Sequence, residues 1–176
     1  MKKVIGILSD THKKVKRSQK VVDLLQKHGA EFFIHAGDIV KEEMLQQLEG
    51  TKKPYVAVYG NNDAHLVEIH NKYNLVQEPN YFKVAETKFK LMHLPFYMNA
   101  DTEVVVFGHT HTFECDFKNG TLYINPGEVC ARNKPLSECA LLEISEKKFK
   151  VTYFYRHLGE DTFNEKHFVF ERDNHE

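Results

Sequence analysis

The sequence lacks a charge imbalance: 24 lysines and arginines face 25 aspartates and glutamates in 176 residues. A chain with so little net charge is not built as a general nucleic-acid binder, nor to lie on an anionic membrane surface. A local positive site for one phosphorylated substrate stays compatible with that balance. The longest basic run, Lys13-Lys14-Val15-Lys16-Arg17, reads as a solvated loop and the start of a helix. Cysteine is scarce. Cys115, Cys130 and Cys139 are odd in number and show no CxxC spacing, which argues against a disulfide framework or a structural zinc and for reduced thiols in a cytoplasmic protein. Long apolar runs are also missing. The opening "MKKVIGILSD" turns polar at Asp10, short of a signal-peptide core, and no stretch approaches a membrane span. Repeats, linkers and low-complexity segments are absent. The remainder is one domain long enough to bury a real core, expected over residues 1–156, with a C-terminal extension over 157–176 that is partly strand and then frayed.

The first half alternates. "VIGILSD" is a short apolar run of strand type, and "VKRSQKVVDLLQKHG" places Val21, Val22, Leu24 and Leu25 at helical spacing before a stop at Gly29. "EFFIHAGD" reads as a strand, "KEEMLQQLEG" as a helix stopped at Gly50, "YVAVYGNND" as a third strand and "AHLVEIHNKY" as a short helix. Strand, helix, strand, helix, strand predicts a parallel sheet with right-handed crossovers. The second half is dominated by strands. "YFKVAETKFKLMH" forms two strands around a tight turn, "VVVFGHTH" one more, and Asn119-Gly120 in "ECDFKNGTLYIN" is a strong hairpin signal. "ECALLEISEKKFKVTYFY" predicts a further hairpin with Phe149, Val151, Tyr153 and Tyr155 on one face, and a last strand falls around 167–170. The expected fold class is α/β, with parallel strands first and antiparallel hairpins in the C-terminal half.

Polar groups follow the apolar strands. Asp10-Thr11-His12 comes after the first, Gly37-Asp38 after the second, and Gly60-Asn61-Asn62-Asp63 after the third. His93 follows "KFKLM", and Gly108-His109-Thr110-His111 follows "VVVF". The C-terminal ends of strands form the ligand-binding edge of an open α/β sheet, so these groups are expected to converge. Asp10 and His12 are two apart, as are His109 and His111, and in extended chain i and i+2 point to one side. Gly37, Gly60 and Gly108 suit sharp turns or close backbone approach. His28 suits a helix C-terminus and His35 the sheet interior, while His70, His157, His167 and His175 read as surface residues.

The ordered set "SDTH", "GD", "GNND", a later His and "GHTH" resembles the calcineurin-like metallophosphoesterases, most of all their small single-domain phosphodiesterases. "INPGEVC" is similar to the "NPGS" segment of those proteins, and the resemblance spans roughly residues 4 to 155. It implies a metallophosphoesterase-type βαβ sandwich and a two-metal site. Asp10, His12 and His111 would hold the first ion, Asn61, His93 and His109 the second, and Asp38 would bridge them. Oxygen and nitrogen ligands of this kind suit Mn²⁺ first, with Ni²⁺, Fe²⁺ or Zn²⁺ also accommodated, and fit Ca²⁺ less well. The implied reaction is hydrolysis of a phosphate ester by a hydroxide bridging the metals. The implied substrate is a small phosphate ester or a nucleotide. Asn62, Asp63 and His109 are the candidate catalytic residues beyond metal binding. A homodimer paired through the hairpin strands is compatible with the sequence but not required by it.

Two departures from the family pattern stand out. Asn62 occupies the position where many relatives carry a proton-donating His, and an amide cannot act as a general acid near neutral pH. That implies a preference for good leaving groups or another donor, with Asp63 and His65 as candidates. Relatives also place a helix between the His at 93 and the "GHTH" strand. Here that stretch is short and contains Pro95, leaving Leu94, Phe96, Tyr97 and Met98 either packed on the core or exposed as a substrate or partner surface. The readings in competition are a phosphodiesterase, a phosphomonoesterase or nucleotide-polyphosphate hydrolase of the same fold, and a non-catalytic interaction module resembling the phosphoesterase-fold subunit of retromer.

Overall fold

In the computed structural model, which describes residues 2–172, the first apolar run is β1 (Lys3–Leu8). The next segment is α1 (Val15–Lys27), which buries Ser18, Val21, Val22 and Leu25, the stripe that a 3.6-residue period dictates. Gly29 ends it in the left-handed region at φ 91°. Then follow β2 (Phe32–His35), α2 (Glu42–Gly50), β3 (Tyr55–Val58), a 3-10 helix over Ala64–Lys72 and β4 (Leu75–Val76). Gly50 ends α2, as the sequence suggested, without taking the left-handed conformation. It is the last helical residue, Thr51 turns its hydroxyl back to the Leu48 carbonyl at 2.7 Å, and Lys52 takes the left-handed conformation at φ 59°.

The remaining strands are β5 (Asn80–Val84), β6 (Thr87–Leu91), β7 (Val104–Val106), β8 (Glu114–Lys118), β9 (Thr121–Asn125), β10 (Leu136–Ile144), β11 (Lys148–His157) and β12 (Asn164–Glu171). They form two sheets. The larger has the order β12-β11-β10-β1-β2-β3-β4, and the smaller β5-β6-β7-β9-β8. In the larger sheet β1 to β4 are parallel and β10 to β12 form an antiparallel meander. The smaller sheet is not purely hairpins, because β6, β7 and β9 run parallel at its centre. The last strand is longer than 167–170. The frayed end and His175 fall outside the described residues.

Ile5, Ile7, Ile34, Val56 and Val58 of the larger sheet pack face to face against Phe89, Leu91, Val104, Val106, Leu122 and Ile124 of the smaller. The helices cover the larger sheet's outer face, with Val21, Val22, Leu25 and Leu48 against Leu8, Phe33, Leu141 and Phe154. Burying a single Val or Leu side chain in such layers stabilises the fold by roughly 1.5–3 kcal/mol. Among the described residues, no helix covers the smaller sheet's outer face. Residues 94–102 are irregular there, and their anchor is Lys90, whose fully buried ammonium donates to the Asn99 carbonyl and Asn99 Oδ1 at 3.0 Å and to Asp101 Oδ1 at 2.7 Å. Met98 packs beneath against Met92, Val105, Phe107 and Tyr123, whereas Phe96 and Tyr97 stay exposed. Among the described residues no helix is long and apolar enough to cross a membrane.

Candidate metal centre

The loops after β1, β2, β3, β6 and β7 meet at one edge of the sandwich, so the site straddles both sheets. Its side chains do not gather by strand alternation. Asp10 (φ 54°), His12 (46°), Asp38 (56°), His109 (69°) and His111 (62°) all sit in the left-handed region, where a non-glycine residue costs roughly 1–2 kcal/mol. The i, i+2 pairs therefore share a side because the backbone is kinked at each member. Interloop hydrogen bonds hold the kinks: Asp10 N–H to the Gly37 carbonyl at 2.9 Å, His12 N–H to the Asp38 carbonyl at 3.0 Å, and Cys130 N–H to the Asp10 carbonyl at 3.1 Å. Gly60 and Gly108 are there for close approach. A Cβ on Gly60 would lie 2.2 Å from Asp38 N, and one on Gly108 would lie 2.3 Å from Ser9 Oγ.

Asp38 is central. Its Oδ2 lies 3.4 Å from His12 Nε2 and 3.5 Å from His93 Nε2, so it faces both imidazoles. Asn62 fixes this carboxylate, donating its backbone N–H to Oδ1 at 3.1 Å and its side-chain amide to Oδ2 at 2.9 Å. On one side, Asp10 Oδ1 lies 3.2 Å from His111 Nε2 and 4.0 Å from His12 Nε2, and the rings of His12 and His111 are 5.5 Å apart. The ligand atoms of Asp10, His12, Asp38 and His111 all fall within 4.8 Å of one another. On the other side, His93 Nε2 is 2.9 Å from Asn61 Oδ1, and the His109 ring meets the His93 ring edge-on at 5.2 Å. His93 is fully buried, while Asn61 and His109 are exposed on the solvent side.

The polar atoms define what fits. Ser9 Oγ donates to Asp10 Oδ2 at 2.6 Å, yet Asp10 Oδ1 and His12 Nε2, both buried, have no hydrogen-bond partner. His93 Nδ1 donates to the Ala36 carbonyl at 2.8 Å, and its Nε2 lies 2.9 Å from Asn61 Oδ1 and 3.5 Å from Asp38 Oδ2. Buried acceptors converging without a donor are costly unless a cation lies among them. Burial is the main cause that raises Asp10 above the usual carboxylate range and lowers His12 below the usual imidazole range, and the Asp38 charge pulls both upward. A neutral His12 is the ligand form. The donor set of carboxylates, imidazoles and one amide oxygen matches a divalent transition ion.

Two of the expected proton donors have other work. Asp63 is buried and accepts the backbone N–H groups of Gly60 at 2.7 Å, Ile39 at 3.1 Å and Val40 at 2.8 Å, so it ties the two ligand loops together and does not face the site as an acid. His65 Nε2 contacts the Val40 carbonyl at 2.5 Å. His35 is buried in the sheet, accepting from Gly37 N–H at 3.1 Å and donating to Thr11 Oγ1 at 3.0 Å, and burial pushes its pKa down to about 3. His28 is the C-cap of α1, its ring tilted against that of Phe154, and His70, His157 and His167 are exposed.

Glu128 was not found from the sequence. It is fully buried, pairs with His111 Nδ1 at 2.5 Å, and accepts from Asn133 N–H at 2.8 Å and Lys134 N–H at 3.0 Å. Carboxylate partners of this kind fix the tautomer of a metal-binding imidazole. The signal was the acidic residue in "INPGEVC" where relatives carry Ser. Cys130 also reaches the site, with Sγ 3.9 Å from His111 Nδ1, but burial pushes its thiol up to about 11 and keeps it protonated.

A family model for the calcineurin-like phosphoesterase superfamily domain matches residues 3–147. The chain belongs to that superfamily. Within it, the chain is 26% identical over 159 residues to phosphodiesterase MJ0936 of Methanocaldococcus jannaschii, covering 83% of this chain and 96% of the relative. Solved structures share this phosphoesterase fold. One described as a novel archaeal phosphodiesterase matches with a TM-score of 0.70 at 24% identity, covering 96% of this chain and all of that one (100%). Vacuolar Protein Sorting 29 from Cryptosporidium parvum matches with a TM-score of 0.77 at 18% identity, covering 97% of this chain and 99% of that one.

Proposed function

We propose that this phosphoesterase is a phosphodiesterase dependent on two divalent transition ions, Mn²⁺ first among them. One would be held by Asp10, His12 and His111, the other by Asn61, His93 and His109, with Asp38 between. The observation that carries the reading is the orphaned pair Asp10 Oδ1 and His12 Nε2, buried in the cluster with Asp38 and His111 whose ligand atoms lie within 4.8 Å of one another. Such ions would supply Lewis acidity and an activated water. The chain's own groups orient and neutralise: Asn62 holds Asp38, Glu128 holds His111, the Ala36 carbonyl holds His93, and His109, exposed on the solvent side, would be open to an incoming phosphoryl oxygen. Asn62 is committed to Asp38, and Asp63 and His65 to backbone groups, so none of these three is free to protonate a leaving group. Esters with good leaving groups should therefore react fastest. The three cysteines are free, which supports a reducing, cytoplasmic setting.

The test is turnover of bis-p-nitrophenyl phosphate with Mn²⁺, Ni²⁺ or Zn²⁺ added. Activity lost in EDTA and in Asp38→Asn is expected, with alkyl esters much slower than nitrophenyl esters. Metal binding without turnover of any ester contradicts the enzyme. A second reading, an interaction module, is favoured by the shared fold with Vacuolar Protein Sorting 29 and by the exposed Phe96 and Tyr97, and that outcome would select it.

A further inference from the structure

Beside the metal centre lies a cleft of about 730 Å³ that shares His12 and Asn62 with it. Its walls carry Lys13, Lys14 and Arg17 from the loop and first turn of α1, Arg132 from the β9–β10 connection, and no acidic residue. In a chain with net charge -1, four cations around one cleft are an uneven distribution. None of the four has a carboxylate partner among the described residues. Arg17 is locked in place, donating to the Cys130 carbonyl at 2.6 Å. Arg132 Nη2 lies 3.3 Å from His12 Nδ1. Leu158, partly exposed, supplies an apolar wall.

Taking the phosphodiesterase reading as its basis, we infer that this cleft is a subsite for a second phosphate group, a phosphomonoester carried on the organic part of the substrate next to the scissile diester. A dianion there would meet charge-assisted donors in a concave, one-signed field, while the apolar wall would take the connecting sugar or alkyl moiety.

The experiment compares p-nitrophenyl thymidine 5′-phosphate with the same ester bearing a 3′-phosphate, in the metal-loaded protein and in its Lys13→Gln/Lys14→Gln variant. Calorimetric binding of thymidine 3′,5′-bisphosphate and thymidine 5′-monophosphate is measured alongside. The 3′-phosphorylated ester should be preferred by at least about tenfold in kcat/KM, the bisphosphate should bind tighter by a similar factor, and added salt and the variant should both erase most of the difference. Equal kcat/KM and equal binding overturn the subsite even if nitrophenol release stays metal-dependent. If neither ester turns over, yet the bisphosphate still binds preferentially and the variant abolishes that preference, the subsite stands and the phosphodiesterase reading falls.

Discussion

Replacing Glu128 by glutamine tests whether the centre depends on a partner behind its ligands. Glu128→Gln keeps the volume, and its carbonyl oxygen can still accept from Asn133 and Lys134, now at 2.8 and 3.0 Å. What changes is the atom facing His111 Nδ1 at 2.5 Å, where an amide N–H₂ replaces a carboxylate oxygen. If His111 carries its proton on Nδ1, two donors confront each other. The ring escapes by moving the proton to Nε2, where it points at Asp10 Oδ1, 3.2 Å away, and blocks coordination. Losing such an outer partner typically costs 10–100-fold in metal affinity, or about 1.4–2.8 kcal/mol. Chelator-competition titration with Mn²⁺ or Zn²⁺ measures it, and urea denaturation of the metal-free protein checks that the fold survives. An affinity within threefold of wild type, in a folded variant, refutes the assignment of Glu128 as the group that sets the His111 tautomer.

Other outcomes follow from the same geometry. His35, held by burial at about 3 against an ordinary 6.5, stabilises the fold above its unfolded pKa. That contribution is lost as pH falls from about 6.5 toward 3, at up to about 1.4 kcal/mol per pH unit. Denaturation between pH 7 and 4 should be flatter by about that slope in His35→Gln, and equal slopes contradict the claim. Burial raises Asp10, so its ionisation destabilises the metal-free fold increasingly as pH climbs through the carboxylate range. Asp10→Asn should therefore be more stable than wild type without metal at pH 7 while binding metal far more weakly, and an unchanged metal-free stability in urea would count against it. Gly60→Ala drives a methyl into Asp38, so activity should fall by two orders of magnitude or more with stability reduced by about 1–3 kcal/mol. Near-wild-type turnover would mean that the loop yields easily.

Much of the fold was legible because period and punctuation agreed. Val21, Val22 and Leu25 announced the buried stripe of α1, and Asn119-Gly120 sits at the β8–β9 turn as its type predicts. The parallel centre of the smaller sheet was not legible, because Val104–Val106 is three buried valines with no alternation to reveal a partner's direction. Motif order brought the seven proposed ligands together on paper, but not the left-handed backbone that aims them, since propensity disfavours Asp and His there and tertiary hydrogen bonds overrule it. Glu128 and Lys90 escaped for a shared reason. A buried charge looks like a surface charge until its partners, distant in sequence, are known.

The central claim is that the side chains around Asp38 hold two ions. Anomalous diffraction from crystals grown with Mn²⁺ addresses it directly. The account predicts two peaks about 3.5–4 Å apart, one beside Asp10, His12 and His111 and the other beside Asn61, His93 and His109, each within bonding distance of Asp38. A single peak that leaves Asn61 and His93 hydrogen-bonded to each other, or no peak at all, contradicts it.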